Sequence, residues 1–177
     1  MTLFGLLAAT GLRVSEALRL RSEDITSDGL LVLETKFRKS RLVPIHETTS
    51  SHLTRYLERR LAVACADNHL FISLRRRRLS YSTAIIAFHQ ARQAAGITGG
   101  VGKRKTCRLH DLRHTFAVRA LERSPGGRIR VDRHMVALAT YLGHANVCDT
   151  YYYLKNTPQL LAGVALACDS LVRNVQA

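Results

Sequence analysis

Apolar residues recur three and four positions apart along most of the chain, which is the spacing of helices that bury one face. The pattern predicts helices over residues 3–9, 13–20, 52–65, 108–121 and 132–142, and one from a cap at Ser80 or Ser82 to about Ala95. Glycine follows several of these stretches and can adopt the left-handed conformation that closes a helix, at Gly11, Gly96 and Gly143. The buried faces are expected to include Leu53, Tyr56, Leu57, Leu61 and Val136.

Two short β-prone runs interrupt the helical pattern, at residues 30–33 and 42–45. The segment between them has one acid, Glu34, at its start, and its cations are Lys36, Arg38, Lys39 and Arg41. The runs therefore predict a β-hairpin with a cationic tip, in an α+β fold that is mostly α-helical. Such a tip is usually only a solvated loop, but four cations without a counter-charge favour contact with phosphates.

The overall charge points to a polyanionic partner. The 177 residues include 27 Lys and Arg against 13 Asp and Glu, which gives a net charge of +14. Nucleic acid is the first candidate partner and an anionic membrane surface the second. No apolar run approaches the ~20 residues that cross a bilayer, and no basic amphipathic helix carries Trp or Phe anchors, so no membrane association is expected. Two further basic runs stand out, Arg75 to Arg78 and Lys103 to Lys105, which includes Arg104.

The helix over residues 108–121 begins with an imidazole and a guanidinium. His110 and Arg113 lie three apart and project to the same side, where the helix N-terminus also favours an anion such as phosphate. Alternatively, His110 merely caps the helix and Arg113 lies on a solvated face. His110 and His114 could bind a metal, but no glutamate follows His110 and the acids elsewhere are scattered singly. The four widely spaced cysteines predict neither a zinc site nor a disulfide frame, so no metal or cofactor is expected.

Several short motifs occur in one order along the chain. Thr10 and Gly11 precede Arg13 and Glu16, Lys36 precedes the run from Arg41 to Pro44, His110 is followed by Asp111 and Arg113, and Leu142, Gly143 and His144 precede a tyrosine nine residues on. From Leu3 to about Leu171, the sequence resembles the catalytic domain of the tyrosine recombinases, the phage integrase family. The resemblance implies the recombinase catalytic-domain fold, with a small β-hairpin or three-stranded sheet that carries a catalytic lysine.

By this resemblance the catalytic residues are Arg13, Lys36, His110, Arg113, His144 and Tyr153. The arginines and His144 hold the phosphate as negative charge gathers on it, because a guanidinium stays charged and donates in a planar fork. Lys36 gives a proton to the leaving 5′-hydroxyl, while His110 accepts from or orients the nucleophile, or helps to hold the phosphate. The tyrosine forms a 3′-phosphotyrosine, which conserves the bond energy for rejoining without metal or ATP.

The choice among Tyr151, Tyr152 and Tyr153 follows from the family spacing. Nine residues after His144 lies Tyr153, and successive helical side chains diverge by ~100°, so its two neighbours cannot occupy the same place. Tyr151 and Tyr152 are expected to be packing residues. Glu16 and Asp111 are either orienting residues or ordinary surface charges.

The expected partner is double-stranded DNA, and the residues expected to contact it are Arg38, Lys39, Arg41, Lys103, Arg104 and Lys105. Residues 1–177 are expected to form a single catalytic domain, without the N-terminal core-binding domain of the family. The family's working state is a homotetramer on DNA in a synaptic complex, and a monomer is expected in free solution. The helix over about residues 158–172 could dock in trans on a neighbouring subunit or fold back on its own core.

The sequence also departs from the family pattern. Lys36 is flanked by Thr35 and Phe37 where glycines are common, and residues 124–127 form an apparent insertion. A type IB topoisomerase-like activity, or an inactive DNA-binding remnant, are the alternative functions. A bacterial, phage or mobile-element protein of the cytoplasm, associated with the nucleoid, is the expected setting.

Overall fold

A computed structural model describes residues 2–33, 40–63, 65, 67–97, 106–123 and 128–153, with the backbone alone for residues 128–132. The described helices are α1 (Thr2–Thr10), α2 (Val14–Ala17), α3 (Glu47–Leu61), α4 (Tyr81–Ala94), α5 (Asp111–Glu122), α6 (Arg128–Leu142) and α7 (Cys148–Tyr151), with a 3₁₀ turn at Ser22–Asp24. The described strands are β1 (Ile25–Thr26), β2 (Gly29–Val32) and β3 (Arg41–Val43). The prediction of a mostly helical α+β fold is confirmed. None of the helices in these ranges is long and apolar enough to span a bilayer.

The chain divides into two compact units, Met1–Phe116 and Ala117–Ala177, and α5 begins in the first and ends in the second. In the first unit the three strands form an antiparallel sheet in the order β1-β2-β3. Leu30 pairs with Ile25 on one side and Val43 on the other. The predicted strands are therefore present, displaced by one residue, and the second ends at Val43 because Pro44 has no N–H to continue the ladder.

The core of the first unit is built on α1, which packs against α2 and α3. Leu3, Leu6 and Leu7 of α1 are buried, and so is Leu53 of α3. Helix α3 begins at residue 47 and not at 52 as predicted, because the His46 imidazole, and not one of residues 48–51, caps it by accepting from the Thr48 N–H at 3.3 Å.

The predicted burial of Leu61 at the end of α3 is wrong, since its side chain is 63% exposed. Arg60 is buried in its place, and its guanidinium donates to the backbone carbonyls of Asp67 and His69. An arginine can fill this position because its stem packs against apolar groups while its head satisfies otherwise unpaired carbonyls.

In the second unit, α6 packs against α7. Met135, Leu138, Ala139 and Leu142 form the buried face of α6. The predicted burial of Val136 is wrong, because Met135 takes the inward position of that turn and successive helical side chains point in different directions.

Candidate active site

Arg113 is held at the end of α1. Gly11 has φ +62°, a left-handed value, and a Cβ there would come within 2.5 Å of the Phe116 ring. Glycine is therefore required both by conformation and by space. The Gly11 carbonyl accepts from Nη1 of Arg113 at 2.6 Å, and Arg113 is only 2% exposed. The possibility that Arg113 lies on a solvated face is thus wrong.

Arg13 occupies the turn between α1 and α2 and is paired with Glu16. The Glu16 carboxylate accepts from the Arg13 backbone N–H and from Nη1 of Arg13, both at 2.9 Å. The backbone bond caps the first turn of α2, and the side-chain bond orients the guanidinium. The Arg13 side chain keeps 31% of its surface exposed, so it is fixed but still accessible to a ligand.

Arg41 joins the same carboxylate. It lies in β3, and its Nη1 and Nη2 donate to the two Glu16 oxygens at 3.2 and 2.9 Å. The Arg41 side chain is only 11% exposed. The prediction that the cations of the hairpin lack a counter-charge is therefore wrong for Arg41, because sequence distance concealed an acid that precedes it by 25 residues. A contact of Arg41 with DNA stays a prediction.

Glu16 is buried and yet ionised. Burial by itself would raise its pKa, but the hydrogen bonds from Arg41 and Arg13, together with the charge of Arg41, lower the pKa below the ordinary value of 4.5. Of the two interpretations open from the sequence, an orienting residue or a surface charge, the structure supports the first. Glu16 is a buried anion that connects two guanidinium groups.

His110 immediately precedes α5. Its carbonyl accepts the N–H of Arg113 at 3.1 Å and that of His114 at 3.3 Å, so its backbone begins the helix. Asp111 closes the preceding turn by accepting from the Arg108 backbone N–H at 2.8 Å. Partial burial of the imidazole, followed by the positive charge of Arg113, lowers the pKa of His110. The imidazole is therefore mostly neutral at neutral pH and able to accept a proton.

The end of α6 positions His144 through backbone geometry. Gly143 has φ +68°, its N–H donates to the Thr140 carbonyl at 3.0 Å, and the N–H of His144 donates to the Ala139 carbonyl at 2.9 Å. This pair of bonds is the Schellman ending of a helix, and it explains why leucine, glycine and histidine follow one another here.

Thr150 fixes the His144 imidazole. Nδ1 of His144 lies 2.7 Å from Oγ1 of Thr150, and Thr150 is fully buried at 0% exposure. If the hydroxyl donates to Nδ1, the neutral ring carries its proton on Nε2 and can donate from there. Sequence reasoning missed this residue; the available signal was a hydroxyl in the short segment between His144 and the tyrosines.

The three tyrosines differ in their surroundings. Tyr153 is 6% exposed and its ring stacks on His144, with centroids 5.9 Å apart and planes inclined by 16°. Tyr151 is 49% exposed and Tyr152 is 61% exposed. The prediction that these two are packing residues is wrong, although the Tyr152 ring contacts Tyr153 edge-on. Of the three, Tyr153 is the one stacked against His144.

Some of the predicted residues lie outside the described part of the chain: Lys36, Arg38, Lys39, Lys103, Arg104, Lys105 and the helix over about residues 158–172. Within the described ranges, no group of three or more His, Cys, Asp or Glu side chains is placed to hold a metal ion. Oδ1 of Asp67 and Nδ1 of His69 lie 2.5 Å apart, and these two side chains form a pair without a third such group among the described residues. The absence of a metal or cofactor requirement stays a prediction.

Comparison with known proteins shows the family of the chain. The model of the phage integrase family matches residues 1–159. The chain therefore belongs to the phage integrase family.

Individual relatives fit the same assignment. The chain is 48% identical over 168 residues to a protein of Sinorhizobium fredii (strain NBRC 101917 / NGR234) named integrase/recombinase y4rE, covering 93% of this chain and 53% of that protein. It is 35% identical to the tyrosine recombinase XerD of Mycobacterium leprae (strain TN), covering 92% of this chain and 49% of that one. The chain thus spans about half the length of these curated relatives.

Solved structures share the fold. A crystal structure of XerA recombinase matches with a TM-score of 0.68 and 34% identity, over 84% of this chain and 49% of that one. The XerH site-specific recombinase, bound to its palindromic difH substrate after cleavage, matches with a TM-score of 0.72 and 24% identity, over 93% and 44% of the two chains. At that identity the second likeness concerns the fold alone.

Proposed function

We propose that this chain is the catalytic part of a site-specific DNA recombinase, which cuts and rejoins DNA strands through a tyrosine. The observation that carries the proposal is the stack of Tyr153 on His144, whose imidazole is bonded to the buried Thr150. A phenol beside an oriented imidazole is the pairing expected of a nucleophile and a phosphate-binding donor. The motif order and the family membership support it.

In the proposed reaction, Oη of Tyr153 attacks the phosphorus of the scissile phosphodiester, and the bond from phosphorus to the 5′ oxygen breaks. His110, which its lowered pKa keeps in the neutral form, accepts the phenolic proton, and Lys36 donates a proton to the leaving 5′ oxygen. The products are a 3′-phosphotyrosine and a free 5′-hydroxyl. Attack by a 5′-hydroxyl from a second strand reverses the step and rejoins the DNA, so neither ATP nor a metal is consumed.

Arg13, Arg113 and His144 are assigned to the phosphate oxygens. Arginine is suited to this role because it remains charged and donates in a planar fork. Arg113 is held by the Gly11 carbonyl and Arg13 by Glu16, so the two guanidinium groups are oriented before DNA binds. Such preorganised donors each commonly contribute a factor on the order of 10²–10³ in rate.

The proposed partner is double-stranded DNA, with a homotetramer as the working assembly on two sites and a monomer in free solution. The net charge of +14 favours the phosphate backbone as the binding surface. Because the proposed substrate is DNA, the proposed location is the bacterial cytoplasm, in association with the nucleoid.

The test is covalent capture. The protein is incubated with supercoiled plasmid and with labelled duplex in the presence of EDTA, and the mixture is run on a denaturing gel. Relaxed plasmid, together with protein attached to the 3′ side of the break, is the expected result. Tight DNA binding without any adduct, on plasmid and on nicked substrates that trap the intermediate, would instead assign the chain to the inactive remnant.

A further inference from the structure

The arginine turn, residues 73–78, contains four consecutive exposed arginines that the proposed reaction does not use. It closes on itself through backbone bonds: the Ser73 N–H donates to the Arg77 carbonyl at 2.8 Å, and the Arg76 N–H donates to the Ser73 carbonyl at 2.9 Å. Arg76 has φ +57°, a left-handed value that a residue with a Cβ rarely adopts. A strained position of this kind persists only where the surrounding structure enforces it.

The base of the arginine turn is braced by side chains. Asp67 Oδ2 accepts from the Arg78 backbone N–H at 2.7 Å, and Cys65 Sγ donates to the Arg76 carbonyl at 2.8 Å. Further bonds to His69 help to lower the pKa of Asp67 to about 2, so the brace is ionised at neutral pH. The turn is therefore shaped before any ligand arrives, which reduces the ordering cost of binding.

The arginine turn is also bonded to the segment that follows the Arg13–Glu16 pair. Nε of Arg78 donates to the Leu18 carbonyl at 3.1 Å, and the Leu70 N–H donates to the Leu20 carbonyl at 2.7 Å. Leu18 is the residue directly after α2. The turn and the Arg13 guanidinium are thus carried on one hydrogen-bonded part of the first unit.

The tip of the turn presents positive charge to solvent. Leu74 is 105% exposed, so the tip stands clear of the rest of the described protein. The side chains of Arg75 and Arg77 are exposed, and neither forms an ion pair within the described ranges. No acid occurs between residues 68 and 110, so no nearby charge in the sequence offsets these cations.

We propose that the arginine turn is a DNA-backbone contact, in which Arg75 and Arg77 each meet a phosphate of the duplex. The inference rests on the proposed function and extends it to a surface that the motif residues do not include. Guanidinium groups suit phosphate oxygens because they bind them through two parallel N–H donors. A contact to phosphates carries no sequence preference, so the turn positions the enzyme and leaves the choice of site to other residues.

The experiment compares two double variants of equal charge. Arg75→Gln/Arg77→Gln removes both proposed contacts, and Arg55→Gln/Arg59→Gln removes two exposed arginines of α3 instead. The affinity for a mixed-sequence duplex is measured over a series of salt concentrations. We expect the slope of log affinity against log salt to fall by roughly two units in the first variant and to remain near wild type in the second. Arg75→Lys/Arg77→Lys, which keeps the charge, should retain most of the slope.

Two results would overturn the inference. One is a salt slope equal to that of wild type in Arg75→Gln/Arg77→Gln. The other is an equal fall of the slope in Arg55→Gln/Arg59→Gln, which would mean that only the net charge of the protein matters. If Arg75→Gln/Arg77→Gln loses binding to vesicles of anionic phospholipid but keeps its DNA binding, the turn contacts a membrane surface, and the inference is overturned as well. All of these side chains are exposed, so thermal unfolding should match that of wild type.

The outcome is separable from that of the proposed function. Covalent capture by the wild-type protein tests the chemistry, whereas the salt slope of Arg75→Gln/Arg77→Gln tests the contact of the turn with DNA. A wild-type protein that binds and forms adducts, with an unaltered slope in this variant, contradicts the turn contact alone. A wild-type protein that forms no adduct, but loses two units of slope in the variant, contradicts the chemistry and leaves the contact supported.

Discussion

The two compact units hold their candidate catalytic side chains by different physical means. In the first, charge dominates: the buried Glu16 carboxylate takes both Arg13 and Arg41, and Arg113 is anchored on the Gly11 carbonyl. In the second, the contacts described at His144 are neutral, since Thr150 bonds its imidazole and the Tyr153 ring stacks on it.

The difference corresponds to what each set has to do in the proposed reaction. Guanidinium groups that bind a phosphate remain charged throughout, and a buried anion can hold them without changing its own state. A phenol and an imidazole exchange hydrogen bonds as the reaction proceeds, so a hydroxyl that can donate or accept is a suitable partner. We call Glu16 with Arg13 and Arg41 the ionic frame, and Thr150 with His144 and Tyr153 the neutral frame. The predictions below test whether the two frames differ in this way, beginning with the largest effect.

Replacing Tyr153 by phenylalanine should abolish covalent capture, because the nucleophilic oxygen is removed while a ring that can stack on His144 remains. DNA affinity should stay near wild type. The matched controls are Tyr151→Phe and Tyr152→Phe, which alter exposed rings and should retain adduct formation. An adduct that persists in Tyr153→Phe would move the nucleophile to one of its neighbours.

Replacing Glu16 by glutamine should remove the anion of the ionic frame. We expect cleavage to slow by roughly 10²-fold, since Arg13 loses its orientation, and the free energy of unfolding to fall by about 3 kcal/mol. Single-turnover cleavage and urea unfolding measure the two effects. Glu23→Gln is the control, because its pair with Arg21 is exposed and should contribute less than about 1 kcal/mol. If Glu16→Gln and Glu23→Gln have equal free energies of unfolding, the ionic frame does not stabilise the fold.

Replacing Thr150 by valine should test the neutral frame. Valine has nearly the same shape but cannot donate to Nδ1, so His144 loses the partner that sets its tautomer, and cleavage should slow roughly tenfold. Thr150→Ser keeps the hydroxyl and should retain most of the activity. If valine and serine reduce cleavage equally, packing matters at this position and the hydrogen bond does not.

Acid should weaken the ionic frame selectively. The pKa of Glu16 is lowered in the folded protein, so its contribution to stability is complete above the ordinary value of 4.5 and is lost as the pH falls through the lower folded value. The difference in unfolding free energy between wild type and Glu16→Gln should therefore be constant above pH 4.5 and shrink below it. Below pH 4.5 the corresponding difference for Thr150→Val should stay level, because that contact includes no carboxylate. The pKa of Asp67 is also lowered, so both wild type and Glu16→Gln should lose stability as the pH falls from 3.8 to about 2.

Much of the second unit's arrangement is local in sequence and was therefore predictable. Gly143 ends α6 as expected, and the Schellman bonds that place His144 join residues only a few positions apart. The spacing from His144 singles out Tyr153, which is the buried tyrosine that stacks on His144, although its role in catalysis stays a prediction. The role of Thr150 was not predictable, since the alternation of buried and exposed residues in so short a helix gives no clear period.

The arrangement of the first unit depends on distant residues. Arg113 and Gly11 are 102 positions apart, and Arg41 and Glu16 are 25 apart. Nothing in the local pattern around Arg41 indicates that its guanidinium binds a buried carboxylate. Likewise, Arg60 is buried and Leu61 is exposed because the Arg60 guanidinium binds the carbonyls of residues 67 and 69, which only the folded chain brings within reach.

By itself, the sequence determined the class of fold, the order of the motifs and the residue types that the chemistry requires, because periodicity, helix endings and motif spacing are local properties. Only the tertiary structure decided which charges neutralise each other, which tyrosine is buried, and that the basic run after Phe71 forms a braced turn. Those outcomes depend on desolvation and on contacts between segments far apart in the chain, where one buried acid or one backbone carbonyl determines what a cation binds.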